Sequence, residues 1–191
     1  VVALAAGAQR SSRGTDELVF ESESMSFDLQ NNLIQARRPR IRQGNLHIVA
    51  DEAVATGIEV DKASEWRLTG GVRIEVGTAV LEAASAVFTA ANEQLSRGEL
   101  VGAPVSFSDV DATQKTRITG RAQRMSYDYV AQTLRMYDAS VQKGNTEILG
   151  CDLIYDFKAE RVTSGSADCT DPFRARRIPG SEARPAPAAP Q

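Results

Sequence analysis

Apolar and polar residues alternate along much of this chain with a period of two. Val72, Ile74 and Val76 alternate with Arg73 and Glu75, and Val105 and Phe107 with Ser106 and Ser108. Leu153, Tyr155 and Phe157 alternate with Ile154, Asp156 and Lys158. A period of two puts one set of side chains on each face of an extended strand, so these segments predict half-buried antiparallel strands. The pattern also repeats at a longer interval. MSFDLQNNLI (25–34) and MSYDYVAQTL (125–134) are nearly one phrase, with an aromatic followed seven residues later by an aliphatic. The same step links Phe88 to Leu95 and Tyr155 to Val162, and each instance predicts a strand, a tight turn and a second strand. Strands ending in glycine recur at Gly44, Gly77 and Gly144, the second interval being about twice the first. A strand with a longer polar loop, VSFSDVDATQKT, fills the gap. Units of roughly 30 to 35 residues, stacked on one another, follow from that spacing.

Turns are expected at Asn31-Asn32, Gly70-Gly71 and Gly144-Asn145, residue types that tolerate positive φ. The segment 82–95, EAASAVFTAANEQL, favours helix on propensity, yet its place in the repeat makes it a strand. The expectation is an all-β fold, a twisted antiparallel jellyroll or roll built from repeated hairpins and open at both ends.

Charge narrows the partners. Twenty-two Lys and Arg against 25 Asp and Glu leave no basic stripe for nucleic acid. Residues 1–10, VVALAAGAQR, read as the remnant of a signal peptide or as an Ala-rich disordered start. Residues 18–170 form one expected domain, and 171–191 a disordered Pro- and Ala-rich tail. Cys151 and Cys169 have no CxxC spacing and no neighbouring His, which leaves no zinc site. They either pair, as in an exported protein, or stand as free thiols; sequence does not decide.

Three longer phrases carry a resemblance: IRQGNLHIVADEA (41–53), LTGGVRIEVGTAVLEAASAVF (68–88) and RITGRAQRMSYDYVAQTLRMYDASVQKGNTEILGCDLIYDF (117–157). Ile118, Gly120, Tyr127 and Asp128, then Leu134 and Met136, then Val141 and Gly144 follow the order of a family repeat. Over roughly residues 22 to 165 the chain resembles the LptA/OstA family of periplasmic lipopolysaccharide-transport proteins. Ala50 and Ala83 stand where that family commonly has Gly, and the loop at 108–116 is longer. The resemblance implies a β-jellyroll of the kind shared with the membrane-anchored LptC and the N-terminal domain of LptD. It implies periplasmic location, lipopolysaccharide bound through its lipid A acyl chains, and LptC-like and LptD-like jellyroll partners. Head-to-tail self-association would use the same contacts.

The inward residues Ile74, Val76, Phe88, Phe107, Ile118, Met125, Tyr127, Leu134, Met136, Ile148, Tyr155 and Phe157 are the candidate lipid-binding set, with simple core packing as the alternative for each. Open sheet edges offer strand addition to a partner. Phe20, Met25 and Phe27 mark the N-terminal edge, and Leu153, Tyr155 and Val162 the C-terminal one. The reading is a soluble bridge carrying lipopolysaccharide between membranes. A membrane-anchored LptC-like component, or a structural β-roll adaptor that binds proteins without lipid, are the alternatives. Asp51, Glu52, Asp109, Asp111, Asp152 and Asp156 have no His partner and fall mostly at turns or outward positions, so no catalytic residue, metal or cofactor is expected.

Overall fold

The computed structural model describes residues 17–56, 64–91, 94–111, 113, 115–165, 169 and 173–178. The signal-peptide expectation for residues 1–10 and the part of the tail after residue 178 lie outside them. The described residues form strands only, all antiparallel: β1 Val19–Glu21, β2 Ser24–Asp28, β3 Leu33–Arg37, β4 Arg40–Gln43, β5 Leu46–Val49 and β6 Glu52–Thr56 are short. β7 Ser64–Val76, β8 Ala79–Ala91, β9 Gln94–Val110, β10 Arg117–Asp128, β11 Thr133–Lys143 and β12 Thr146–Asp156 are long, and β13 Arg161–Ser164 and β14 Arg174–Arg177 close the chain. In the Ala-rich 82–95 segment, residues 82–91 lie in β8 and residues 94–95 begin β9. Burial of its alternate residues Ala86, Phe88 and Ala90 outweighs helix propensity.

Each long strand belongs to two sheet layers. Near its N-terminal end β7 pairs with β6, Trp66 opposite Ala55, and near its C-terminal end with β5, Ile74 opposite Ile48. Between these halves the pairing of β7 with β8 slips between Thr69 and Val72. The pairing of β8 with β9 slips between Glu82 and Ser85, and that of β10 with β9 between Ala122 and Arg124. These interruptions, with the breaks between β3 and β4 and between β5 and β6, line up as a crease across the sheet. One layer runs β1, β4, β5, one half of each strand from β7 to β12, and β14; the other runs β2, β3, β6, the remaining halves and β13. The result is a folded-over jellyroll with its apolar faces inward.

Gly70-Gly71, expected as a hairpin turn, is instead part of the crease inside β7. Both residues have positive φ, 73° and 52°, which re-aims the strand between layers without reversing it. A side chain at Gly70 would also strike Asp51, its Cβ falling 2.4 Å from Oδ2. The true turns are of two kinds. On the layer containing β4, glycines at positive φ (Gly44, Gly77, Gly144) make the short turns. On the other layer an aspartate holds three turns among the described residues: Asp28 Oδ1 accepts from the amides of Gln30 and Asn31, Asp128 from Ala131, and Asp156 from Lys158 and Ala159. Four residues after each aspartate, Asn32, Gln132 and Glu160 take positive φ. The repeated phrase is therefore a repeated Asp-capped turn, and bonds to the Asn31 side chain and amide hold the Asp28 carboxyl below its ordinary pKa.

The tail expected to be unstructured from residue 171 contributes β14, whose Arg174–Arg177 pairs with Leu149 to Thr146 of β12. Its side chains are all exposed, so no apolar periodicity announced it. Backbone pairing and an ion pair from Arg176 Nε to Glu147 Oε2 at 2.5 Å hold it instead. A disulfide joins Cys151 to Cys169, with Cα atoms 6.0 Å apart, just before this strand.

Candidate functional site

Inward alternation in both layers brings the candidate residues together. Ile74, Met125, Leu134, Met136 and Tyr155 are 0% exposed, Phe88 and Tyr127 1%, and Phe107 and Ile118 2%. Val76 is also buried, while Ile148 and Phe157 are half-buried against the same core. Phe107 of one layer meets Tyr155 of the other with ring centroids 5.0 Å apart, and Phe157 packs edge-on to Phe107, Tyr127 and Tyr155. Along this stretch the candidate set makes a filled interior: close-packed rings and aliphatics occupy the space between layers.

The two long sides of the roll differ. On the crease the backbone runs continuously from layer to layer. On the opposite side, where the turns lie, side chains bridge the gap. Tyr155 Oη donates to Asp109 Oδ2 at 3.0 Å, and Asp109 Oδ1 accepts from Thr78 Oγ1 at 2.6 Å. Gln43 Oε1 accepts the Leu95 amide at 3.0 Å, and the Gln43 carbonyl accepts from Tyr129 Oη at 3.5 Å. Burial, and next the nearby Asp109, push the Tyr155 phenol well above its ordinary pKa, so it donates as a neutral hydroxyl.

Asp109, Asp111 and Asp152 are buried, 4 to 7% exposed, where turns or outward positions were expected. Asp109 follows the inward phase of Val105 and Phe107. Along β12 the inward phase changes at Asp152, which is buried together with its neighbour Leu153. All three have cationic or hydroxyl partners, Asp111 pairing with Lys143. Arg135 grips Asp152 with two bonds, Nε to Oδ1 at 2.8 Å and Nη2 to Oδ2 at 2.6 Å. Those bonds raise the Arg135 pKa and keep the guanidinium charged. Replacing Arg135 by Met removes two bonds from a carboxylate that is 3% exposed. Because the guanidinium itself is 42% exposed, the expected loss is about 2 kcal/mol rather than the larger value of a fully buried pair, read as a lower urea midpoint. An unchanged midpoint would mean that solvent replaces the arginine.

The ends of the roll are less closed. All five residues of β2 are exposed, and Met25 and Phe27, which pair with the buried Ala36 and Ile34, leave apolar surface at the N-terminal mouth, 37% and 59% exposed. Phe20 lies on β1 against Trp66, ring centroids 4.8 Å apart. Among the described residues β1 pairs only with β4 and β2 only with β3, so Phe20, Met25 and Phe27 are on edge strands. Val162 is on the opposite edge, in β13. Leu153 and Tyr155, expected on that edge, are not: β12 is flanked by β11 on one side and by β13 and β14 on the other. β13 covers Leu153 and Tyr155, while β14 covers residues 146–149.

No helix of the described residues is long and apolar enough to cross a membrane. Residues 55–161 match the family model described as LptA/(LptD N-terminal domain) LPS transport protein. In structure the chain is similar to LptH, the LptA homologous periplasmic component of the lipopolysaccharide transport device from Pseudomonas aeruginosa. That likeness has a TM-score of 0.51 at 14% identity, covering 86% of this chain and 96% of the other, and speaks to fold alone. No curated protein matches by sequence.

Proposed function

Since the chain belongs to the LptA/LptD N-terminal domain family of lipopolysaccharide transport proteins, we propose that it carries lipopolysaccharide by seating acyl chains of lipid A between its two layers. The observation that carries this reading is the asymmetric closure of an apolar interior: covalent backbone on one side, a few side-chain bonds on the other. Parting the layers along the bonded side replaces contacts between apolar side chains with contacts to lipid, so the apolar term largely cancels. An acyl chain of about a dozen carbons gains ~9 kcal/mol at most on leaving water. Each bridging hydrogen bond is worth about 1 kcal/mol net. Insertion therefore outweighs the bonds it breaks. The role is that of a carrier and needs no catalytic group.

The edges supply the connections. β1 and β2 at one end, and β13 with β14 at the other, present unpaired backbone groups to which an LptC-like or LptD-like jellyroll, or a second copy of this chain, adds a strand. Met25 and Phe27 then lie at the junction, continuing the apolar lining from one roll to the next. Such a bridge works in the periplasm, as does the similar LptH, a periplasmic component of its transport device.

Photo-crosslinking separates this from the other reading. A photoreactive residue at Phe107 should capture lipopolysaccharide in cells, and one at its outward neighbour Ser106 should not. The filled interior favours one competitor, a β-roll that docks proteins only through its edges. Absence of lipid at both positions, with protein adducts at Phe20 or Val162, would establish that competitor.

A further inference from the structure

Three tyrosines point their hydroxyls into or across the gap between layers, and one has nothing to bond. Tyr155 reaches Asp109 and Tyr129 reaches Gln43, but Tyr127 Oη is buried without a hydrogen-bond partner. The other such oxygen among the described residues, Glu99 Oε2, is on the outward side of β9. Tyr127 is itself 1% exposed, inward on β10 between Gly98 and Leu134, with the rings of Tyr129 and Phe157 edge-on to it. A buried hydroxyl with no partner destabilises a fold, and phenylalanine would keep every ring contact without that cost. The chain has that solution at hand: the matching position in the other copy of the repeated phrase is Phe27.

The surroundings limit what could complete the hydroxyl. Burial foremost, then Tyr129 and Asp128, push the phenol far above its ordinary pKa, so it stays protonated. Aromatic and aliphatic walls would leave an ion unsolvated. What fits is a neutral oxygen carried into the interior on a hydrocarbon chain. Building on the carrier reading above, we propose that Tyr127 donates a hydrogen bond to an ester or amide carbonyl of a bound acyl chain, and so selects acylated amphiphiles over plain alkyl ones.

The test compares full-length wild type and Tyr127→Phe, with displacement of a fluorescent lipid probe by two competitors: lipid A, with ester- and amide-linked chains, and a dialkyl ether lipid of matched chain length. The variant should lose roughly fivefold to tenfold in affinity for lipid A, the worth of one hydrogen bond, and none for the ether lipid. Its urea midpoint without lipid should equal or exceed that of wild type. Equal affinities of both proteins for lipid A, an equal loss for both competitors, or a lowered midpoint would overturn the assignment. Wild type that binds neither competitor would overturn the carrier reading and this inference with it. Wild type that binds both equally and is unaffected by the substitution would overturn this inference alone.

Discussion

Replacing Phe107 by Ala should cost about 4 kcal/mol of unfolding free energy, the upper range for large-to-small changes in a packed core. Phe107 is 2% exposed, stands between the rings of Tyr155 and Phe157, and fills space left by Gly120, where an added Cβ would lie 3.1 Å from Phe107 Cδ1. Truncation removes the contact that joins the two layers at their widest aromatic cluster, and the backbone crease keeps neighbours from collapsing fully into the void. Domains of this size are stable by about 5 to 15 kcal/mol, so the loss should be plain in a urea titration followed by near-ultraviolet circular dichroism. A cost below about 1 kcal/mol would show that the layers are already apart in solution, contrary to the close packing described.

Breaking the Cys151–Cys169 disulfide should come next in size. It closes a separation of 18 residues, for which the loop-entropy relation gives about 3 kcal/mol. The local effect should exceed the global one. β14 has four exposed residues, and apart from pairing with β12 it is fixed by the Arg176–Glu147 ion pair and by the bond at Cys169. In Cys151→Ser/Cys169→Ser, hydrogen exchange should accelerate first at residues 174–177 and at their partners 146–149, before the central strands β7 to β10. Uniform acceleration along the chain would mean that β14 is held by its ladder alone.

Much of the architecture could be read from residue order, and what could not has definite causes. Alternation at Val72, Ile74 and Val76, and again at Val105 and Phe107, places the inward face because burial of alternate side chains leaves its mark on composition. Gly44, Gly77 and Gly144 mark turns because positive φ demands them. Gly70-Gly71 misleads for the same reason: glycine reports the dihedral angle, while the direction the chain then takes depends on Asp51 and the strands alongside. β14 leaves no trace because an exposed edge strand held by backbone bonds needs no apolar residues. Asp152 is buried because the inward phase changes along β12, where it and its neighbour Leu153 both face the interior. The candidate interior was legible as a set of residues. Its state of filling was not, since that depends on how closely two layers approach.

The crease also turns strand number into a ruler. Strands stack at about 4.8 Å, so the ten lined up from β1 to β13 measure roughly 45 Å from end to end, ignoring twist. Each hairpin spliced into the middle would lengthen the apolar interior by about 10 Å while leaving its girth to the number of residues in each half-strand. Length and girth of the roll are thereby set by separate features of the sequence, and either can change without the other.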